Sequence, residues 1–216
     1  MIYSYSKIDT FIKCPLRFKF EYIDLLPKVK SDFLIVGNIL HSLSGEYLKT
    51  KDLNNTLLKM KLFAIQLDDL PKLSLPKDDW LKLMEMNLKQ LLPYLPESYI
   101  DLEKKVEGQI GGYDFVGFVD ILRSEETIEL KFRKKYREPD TTQLNLYAKL
   151  LGSNLNGCYI TSSFLGGVLS EKVEYQDPTE FLLKIIQWIE RKEFFKKPSG
   201  LCNYCSFKEQ CREVKE

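Results

Sequence analysis

Within the stretch GFVDILRSEETIELKF, residues 117–132, an aspartate, a glutamate and a lysine fall where they could meet: Asp120, Glu129 and Lys131. Residues two apart in a strand share a face, so Glu129 and Lys131 project together while Leu130 turns into the opposite layer. A hairpin before them brings Asp120 alongside. Two carboxylates converging at one end of a sheet repel each other unless a cation lies between them, and Mg²⁺ is the usual hard cation for oxygen ligands. The adjacent ammonium then suits a phosphate. An isolated Glu-x-Lys is ordinarily a weak surface ion pair, so the chemistry depends on what the rest of the chain places beside it.

The elements that must position these groups follow from hydrophobic period. Residues 102–110, 113–122 and 127–132 read as three consecutive strands joined by short Gly or Ser/Glu turns, a β-meander. Helical period precedes them: a helix capped by Ser4 or Ser6 and split at Pro15, a helix over 33–50 with apolar Phe33, Val36, Leu40, Leu43 and Tyr47, and helices around 53–68 and 78–92 separated by the Pro-containing segment LPKLSLPKDD. After the strands come a helix over 140–151, two further strands in NGCYITSSFL and SEKVEY, and an amphipathic helix over 178–195 that ends before Pro198. The fold class is therefore α/β, a mixed sheet with helices against it. One domain is expected over 1–216, with a helical part (1–100), a core (101–195) and a cysteine-bearing tail (196–216).

Composition excludes some classes. With 32 basic and 31 acidic residues the chain is no polycation, so a nucleic-acid surface must be a local patch. No apolar run approaches a bilayer span, and MIYSYSKIDTF lacks the basic start and apolar centre of a secretory signal, so the expectation is a cytoplasmic protein without a membrane partner. In that reducing setting the five cysteines point to metal ligation or burial rather than disulfides.

The lone histidine, His41, stands in GNILH, and QLNLY puts Gln143 and Tyr147 four apart on one helix face. Each signal is common alone. In the order G-x-x-x-H, G-x-x-D, E-x-K, Q-x-x-x-Y, and on those elements, the chain resembles the RecB-like branch of the PD-(D/E)xK nuclease superfamily. The opening SYSKIDTFIKCPLRFKFEYI is similar to that branch's N-terminal segment, and the likeness runs from about Ser4 to Cys211. It implies a restriction-endonuclease-like fold and a Mg²⁺- or Mn²⁺-dependent deoxyribonuclease. Carried over, His41, Asp120, Glu129 and the Leu130 backbone carbonyl hold the metal. Lys131 is the catalytic lysine, Gln143 and Tyr147 flank the scissile phosphate, and Glu103 matches a further upstream acid. The chemistry agrees: a carboxylate-bound metal lowers the pKa of the attacking water and neutralises developing charge.

The tail supplies Cys202, Cys205 and Cys211 as C-x2-C-x5-C, three thiolates that lack a fourth, and Cys14 is the candidate. RecB-like nucleases with an iron-sulfur cluster share this split pattern, so the resemblance implies a 4Fe-4S cluster. A four-cysteine zinc site is the rival. Cys158, in an apolar strand, is expected in the core.

Directly after Lys131, Arg133, Lys134, Lys135 and Arg137 form the densest basic run, suited to a DNA backbone, with Tyr136 available to stack a base. The expected activity is exonucleolytic cleavage of single-stranded DNA ends. Related proteins include CRISPR-adaptation nucleases and nuclease domains of recombination helicases, so a protein partner in repair or adaptation is implied. The rival functions are an inactive DNA-binding module, against which the intact motif residues speak, and a zinc-stabilised structural subunit indifferent to Mg²⁺.

Overall fold

The computed structural model describes residues 1–214 other than Pro71 and Pro139. Pro71 of the inter-helix segment and the last two tail residues thus lie outside the described residues. Gly111 and Gly112, at φ 59° and 84°, close the first hairpin. Positive φ at both turn positions matches the twist of the flanking strands, which is why two glycines stand there. The hairpin joins β1 (Asp101–Ile110) to β2 (Tyr113–Leu122), paired antiparallel from Asp101↔Leu122 to Ile110↔Tyr113.

Next comes β3 (Glu126–Arg133), which pairs with β2 at Ile121↔Ile128 and Leu122↔Thr127 before the two strands splay apart. The expected meander is therefore half made. From β3 the chain crosses over through α6 (Thr142–Leu150) to β4 (Asn156–Ser163), which runs parallel to β3, and β5 (Val168–Val173) returns antiparallel. A parallel neighbour demands such a crossover, and its helix lands on one face of the sheet. The result is a five-stranded mixed sheet in the order β1-β2-β3-β4-β5.

Helices cover both faces. On the α6 side, α1 (Tyr5–Lys13) and α7 (Thr179–Glu190) pack Ile8, Phe11, Leu182 and Ile186 against Val106, Ile110, Phe115 and Val119 of the hairpin. On the other side α3 (Asp32–Thr50), α4 (Leu53–Phe63) and α5 (Lys77–Leu91) share a core of Val36, Leu40, Met60, Trp80 and Met84. Leu48 and Leu91 then join Ile128, Leu130 and Ile160 from the sheet. The helical part is thus one layer of the domain. Trp80 donates its indole N–H to Asp32 Oδ2 at 3.1 Å, which satisfies a buried donor deep in that layer.

Several boundaries differ from the sequence reading. The last long helix stops at Glu190 rather than near 195, because Lys192 adopts φ 59° and the chain continues extended, Leu16 N–H bonding the Phe195 carbonyl. A short α2 (Pro15–Phe18) runs into a π-helical turn at Lys19–Ile23, and the tail carries a 3₁₀ turn at Gly200–Tyr204 and α8 (Lys208–Glu213). Period-based reading is blind to such short turns. Among the described residues no helix is long and apolar enough to cross a membrane.

Candidate active site

The site forms where β2 leaves β3. Once the ladder stops, the N–H of Leu130 has no strand partner on that side, and the Asp120 carboxylate takes it instead, Oδ2 accepting at 2.7 Å. The same oxygen stands 3.4 Å from Nδ1 of His41, delivered by α3 and steadied by an edge-on contact with Phe132, centroids 5.0 Å apart. Glu103 of β1 lines the same small cavity with His41, Asp120 and Leu130. Its φ of 53° is uncommon for a residue with a Cβ, the kind of local strain that gathers at functional sites.

A second group builds from β3 and α6. Glu129 is buried, and its Oε1 accepts from Lys131 Nζ at 2.6 Å and from Gln143 Nε2 at 2.6 Å. Lys131 also donates to Gln143 Oε1 at 2.8 Å, and the Gln143 amide donates to the Tyr147 hydroxyl at 2.8 Å. Gln143 and Tyr147 reach this deep because Gly117 of β2 leaves room: a Cβ there would lie 2.4 Å from Tyr147 Cε1. Leu130 faces the opposite core, as alternation requires. The structure thus brings together Asp120, Glu129, Lys131, His41, Gln143, Tyr147 and Glu103, and the contact that Leu130 makes with Asp120 is through its N–H.

Charge in the pocket is frustrated. Burial, and then the neighbouring Asp120 charge, push the Glu129 carboxyl up to about 7, while burial lifts Asp120 to about 6 against the opposing effect of the Leu130 N–H. Burial holds His41 below its ordinary value, which favours the neutral imidazole that ligates metals. The second Glu129 oxygen, Oε2, is buried without a hydrogen-bond partner. An orphaned carboxylate oxygen beside a second carboxylate and a neutral imidazole is a donor set that fits a hard divalent cation. Among the described residues no three His, Cys, Asp or Glu side chains are placed to hold a metal ion, here or among the cysteines; Glu129 is turned toward Lys131 and Gln143.

The basic run leaves this centre as a surface loop. Arg133 donates to the Arg137 carbonyl at 3.3 Å, Lys134 lies 5.8 Å from the Phe33 ring centroid, and Lys135 is exposed. Tyr136, 41% exposed, bonds Glu171 through its hydroxyl at 2.5 Å, so its ring is held at the surface. Far along the chain but adjacent in space, Cys14, Cys202, Cys205 and Cys211 line one cavity of about 290 Å³, together with Lys13, Arg17, Lys196, Lys197, Lys208 and Arg212. Burial raises the Cys211 thiol, and the three other cysteines push the same way against the opposing charge of Lys196. Cys158 lies apart in the sheet core, 3.3 Å from Ser170 Oγ. Sequence reasoning missed Tyr159, a fully buried β4 residue whose ring centroid is 5.7 Å from Lys131 Nζ; one tyrosine in an apolar strand carries no signal of its own.

The model of the PD-(D/E)XK nuclease superfamily matches residues 2–212. Among solved structures, one titled "Putative exonuclease" from Eubacterium rectale shares 13% identity and a TM-score of 0.59, covering 100% of this chain and 90% of that one. Another, titled "Crystal structure of SSO0001", shares 13% identity at a TM-score of 0.45, covering 94% and 96%. At such identity the likeness to the Eubacterium rectale structure speaks to the fold alone. No curated protein matches the chain by sequence.

Proposed function

The chain belongs to the PD-(D/E)XK nuclease superfamily, and on that premise we propose that it is a Mg²⁺- or Mn²⁺-dependent deoxyribonuclease acting as an exonuclease on single-stranded ends. The observation that carries the reading is Glu129: one oxygen is clamped by Lys131 and Gln143, and the other is buried without a partner. Water attacks phosphorus as the bond to the leaving sugar oxygen breaks. His41, Asp120, Glu129 and the Leu130 carbonyl, with Glu103 nearby, would hold a divalent cation, which would supply Lewis acidity and lower the pKa of the attacking water. Lys131 places an ammonium against the phosphate charge that grows in the transition state. Gln143 holds that ammonium in place, and Tyr147 holds Gln143. The exonuclease assignment leans on the name of the Eubacterium rectale neighbour. Single-strand preference leans on the basic loop, where the exposed Tyr136 ring suits an unstacked base.

The test is incubation with end-labelled single-stranded and double-stranded DNA plus Mg²⁺, Mn²⁺ or EDTA. Progressive shortening of the single strand, abolished by EDTA, is expected. Metal-independent cleavage, or none under any condition, would overturn the assignment.

For the cysteine cavity the reading is a 4Fe-4S cluster. What supports it is the split pattern of Cys14 with C-x2-C-x5-C, which resembles that of the iron-sulfur RecB-like nucleases, and the lysines and arginines that line the cavity beside the four cysteines and suit a net-negative group. Purified protein should contain iron and acid-labile sulfide, Cys14→Ala should lose both, and Cys158→Ala should keep them. One zinc and no iron would make the tail a zinc clasp.

A further inference from the structure

We propose that Tyr159 and Asp140 form a positioning pair that seats Lys131 and Gln143, an inference that rests on the nuclease reading above. Tyr159 is the β4 register partner of Glu129, so its side chain shares the α6 face of the sheet with Glu129. Its ring lies 5.7 Å from Lys131 Nζ, within cation–π reach. The ammonium is thus fixed by three groups: Glu129 Oε1, Gln143 Oε1 and the Tyr159 ring.

The hydroxyl of Tyr159 does something else. It donates to the Asp140 carbonyl at 2.6 Å, while the Asp140 carboxylate accepts from Thr142 N–H at 2.9 Å at the first turn of α6. Burial, and then the charge of the same carboxylate, raise the phenol of Tyr5 at the start of α1. Asp140 is therefore held by the Tyr159 hydroxyl at the point where α6 begins, one turn before Gln143. A tyrosine present only to fill the core would need neither contact. With both, one buried side chain sets the lysine directly and sets the glutamine through the helix that carries it.

Cleavage kinetics and NMR separate these roles. Tyr159→Leu removes ring and hydroxyl and should lower kcat about 100-fold, the cost of misplacing a reacting group by about 1 Å, with KM for DNA within about two-fold of wild type. Tyr159→Phe keeps the packing and should lower kcat about ten-fold, as loss of one hydrogen bond allows; Asp140→Ala retains the carbonyl that accepts from Tyr159 and removes only the Thr142 contact, so it should lower kcat less. The Lys131 Nζ protons should show an upfield ring-current shift that persists in Tyr159→Phe and vanishes in Tyr159→Leu. Wild-type kcat in Tyr159→Phe would overturn the Asp140 link, and an unchanged Lys131 shift in Tyr159→Leu would overturn the positioning of the lysine. A wild-type protein that cleaves no DNA would instead sink the nuclease reading, and the NMR comparison would still decide whether Tyr159 holds Lys131.

Discussion

Replacing Gly117 by alanine tests how the strand and α6 fit together. A Cβ built on Gly117 would lie 2.4 Å from Tyr147 Cε1 and 2.8 Å from Cδ1, whereas carbon atoms pack best at about 3.5–4.0 Å. The ring must move by about 1 Å to accept the methyl. Tyr147 is only 6% exposed and is packed in the same core as Leu146 and Val119, so that movement displaces well-packed neighbours. Overpacking of this kind costs about 1–3 kcal/mol, which for a domain of this size lowers Tm by about 2–12 °C. Without the clash the sign would reverse, since glycine inside a strand is unfavourable relative to alanine by about 0.5–1 kcal/mol. Activity should fall further than stability: the displaced hydroxyl leaves its 2.8 Å contact with Gln143, and a 1 Å misplacement costs about 100-fold in rate. Calorimetry and single-turnover cleavage, run on Gly117→Ala and on Gly117→Ala in a Tyr147→Ala background, make the comparison. In the second background the methyl has room and should cost no further stability. A Gly117→Ala protein with wild-type Tm and wild-type cleavage would refute the reasoning.

Three further outcomes are expected. Asp120→Ala and Lys131→Ala should each lower cleavage by at least about 100-fold, the scale of losing one transition-state partner, but isothermal titration should show weakened Mn²⁺ binding in Asp120→Ala alone; equal Mn²⁺ affinity in the two would dissolve the assigned roles. In metal-free protein the Glu129 carboxyl, pushed up to about 7 from its ordinary 4.5, keeps a proton that the unfolded chain has released between those values. Stability should therefore fall as pH rises through that window, and Glu129→Gln should flatten the fall; urea midpoints in EDTA at pH 5 and pH 8 check it, parallel slopes counting against it. Converting Arg133, Lys134, Lys135 and Arg137 to Glu should weaken single-strand binding and shrink the slope of log affinity against log salt, by about 0.7 for each phosphate the loop no longer neutralises. An unchanged slope would mean that DNA runs along another face.

Much of the site was legible because its signals are local. Alternation along β3 put Glu129 and Lys131 on one face and Leu130 on the other, and the four-residue spacing of Gln143 and Tyr147 put them on one helix face. Each survives in the structure as direct contacts. What stayed hidden depends on tertiary geometry. The early parting of β2 from β3 leaves no mark on hydrophobic period, because Val119 and Ile121 stay buried on either side of Asp120. The role of Gly117 appears only once α6 is laid across the strand. Likewise the π-helical turn at Lys19–Ile23 and the stop of α7 at Glu190 are set by backbone conformation that side-chain pattern does not encode. The meeting of Cys14 with the tail cysteines follows from the chain's path, through the bond from Leu16 N–H to the Phe195 carbonyl.

The short seam between β2 and β3 makes the sheet two leaves, a hairpin and a three-stranded block, joined near Ile121 and Ile128. Beyond the seam their backbone groups are satisfied by outsiders: Val116 N–H by the Tyr3 carbonyl and Leu130 N–H by the Asp120 side chain. A ladder amide is protected until strands separate, but the Leu130 amide is protected only while one carboxylate stays where it is. Its hydrogen-exchange rate thus reports the orientation of Asp120 without any substrate, and whatever draws that carboxylate aside will release this amide.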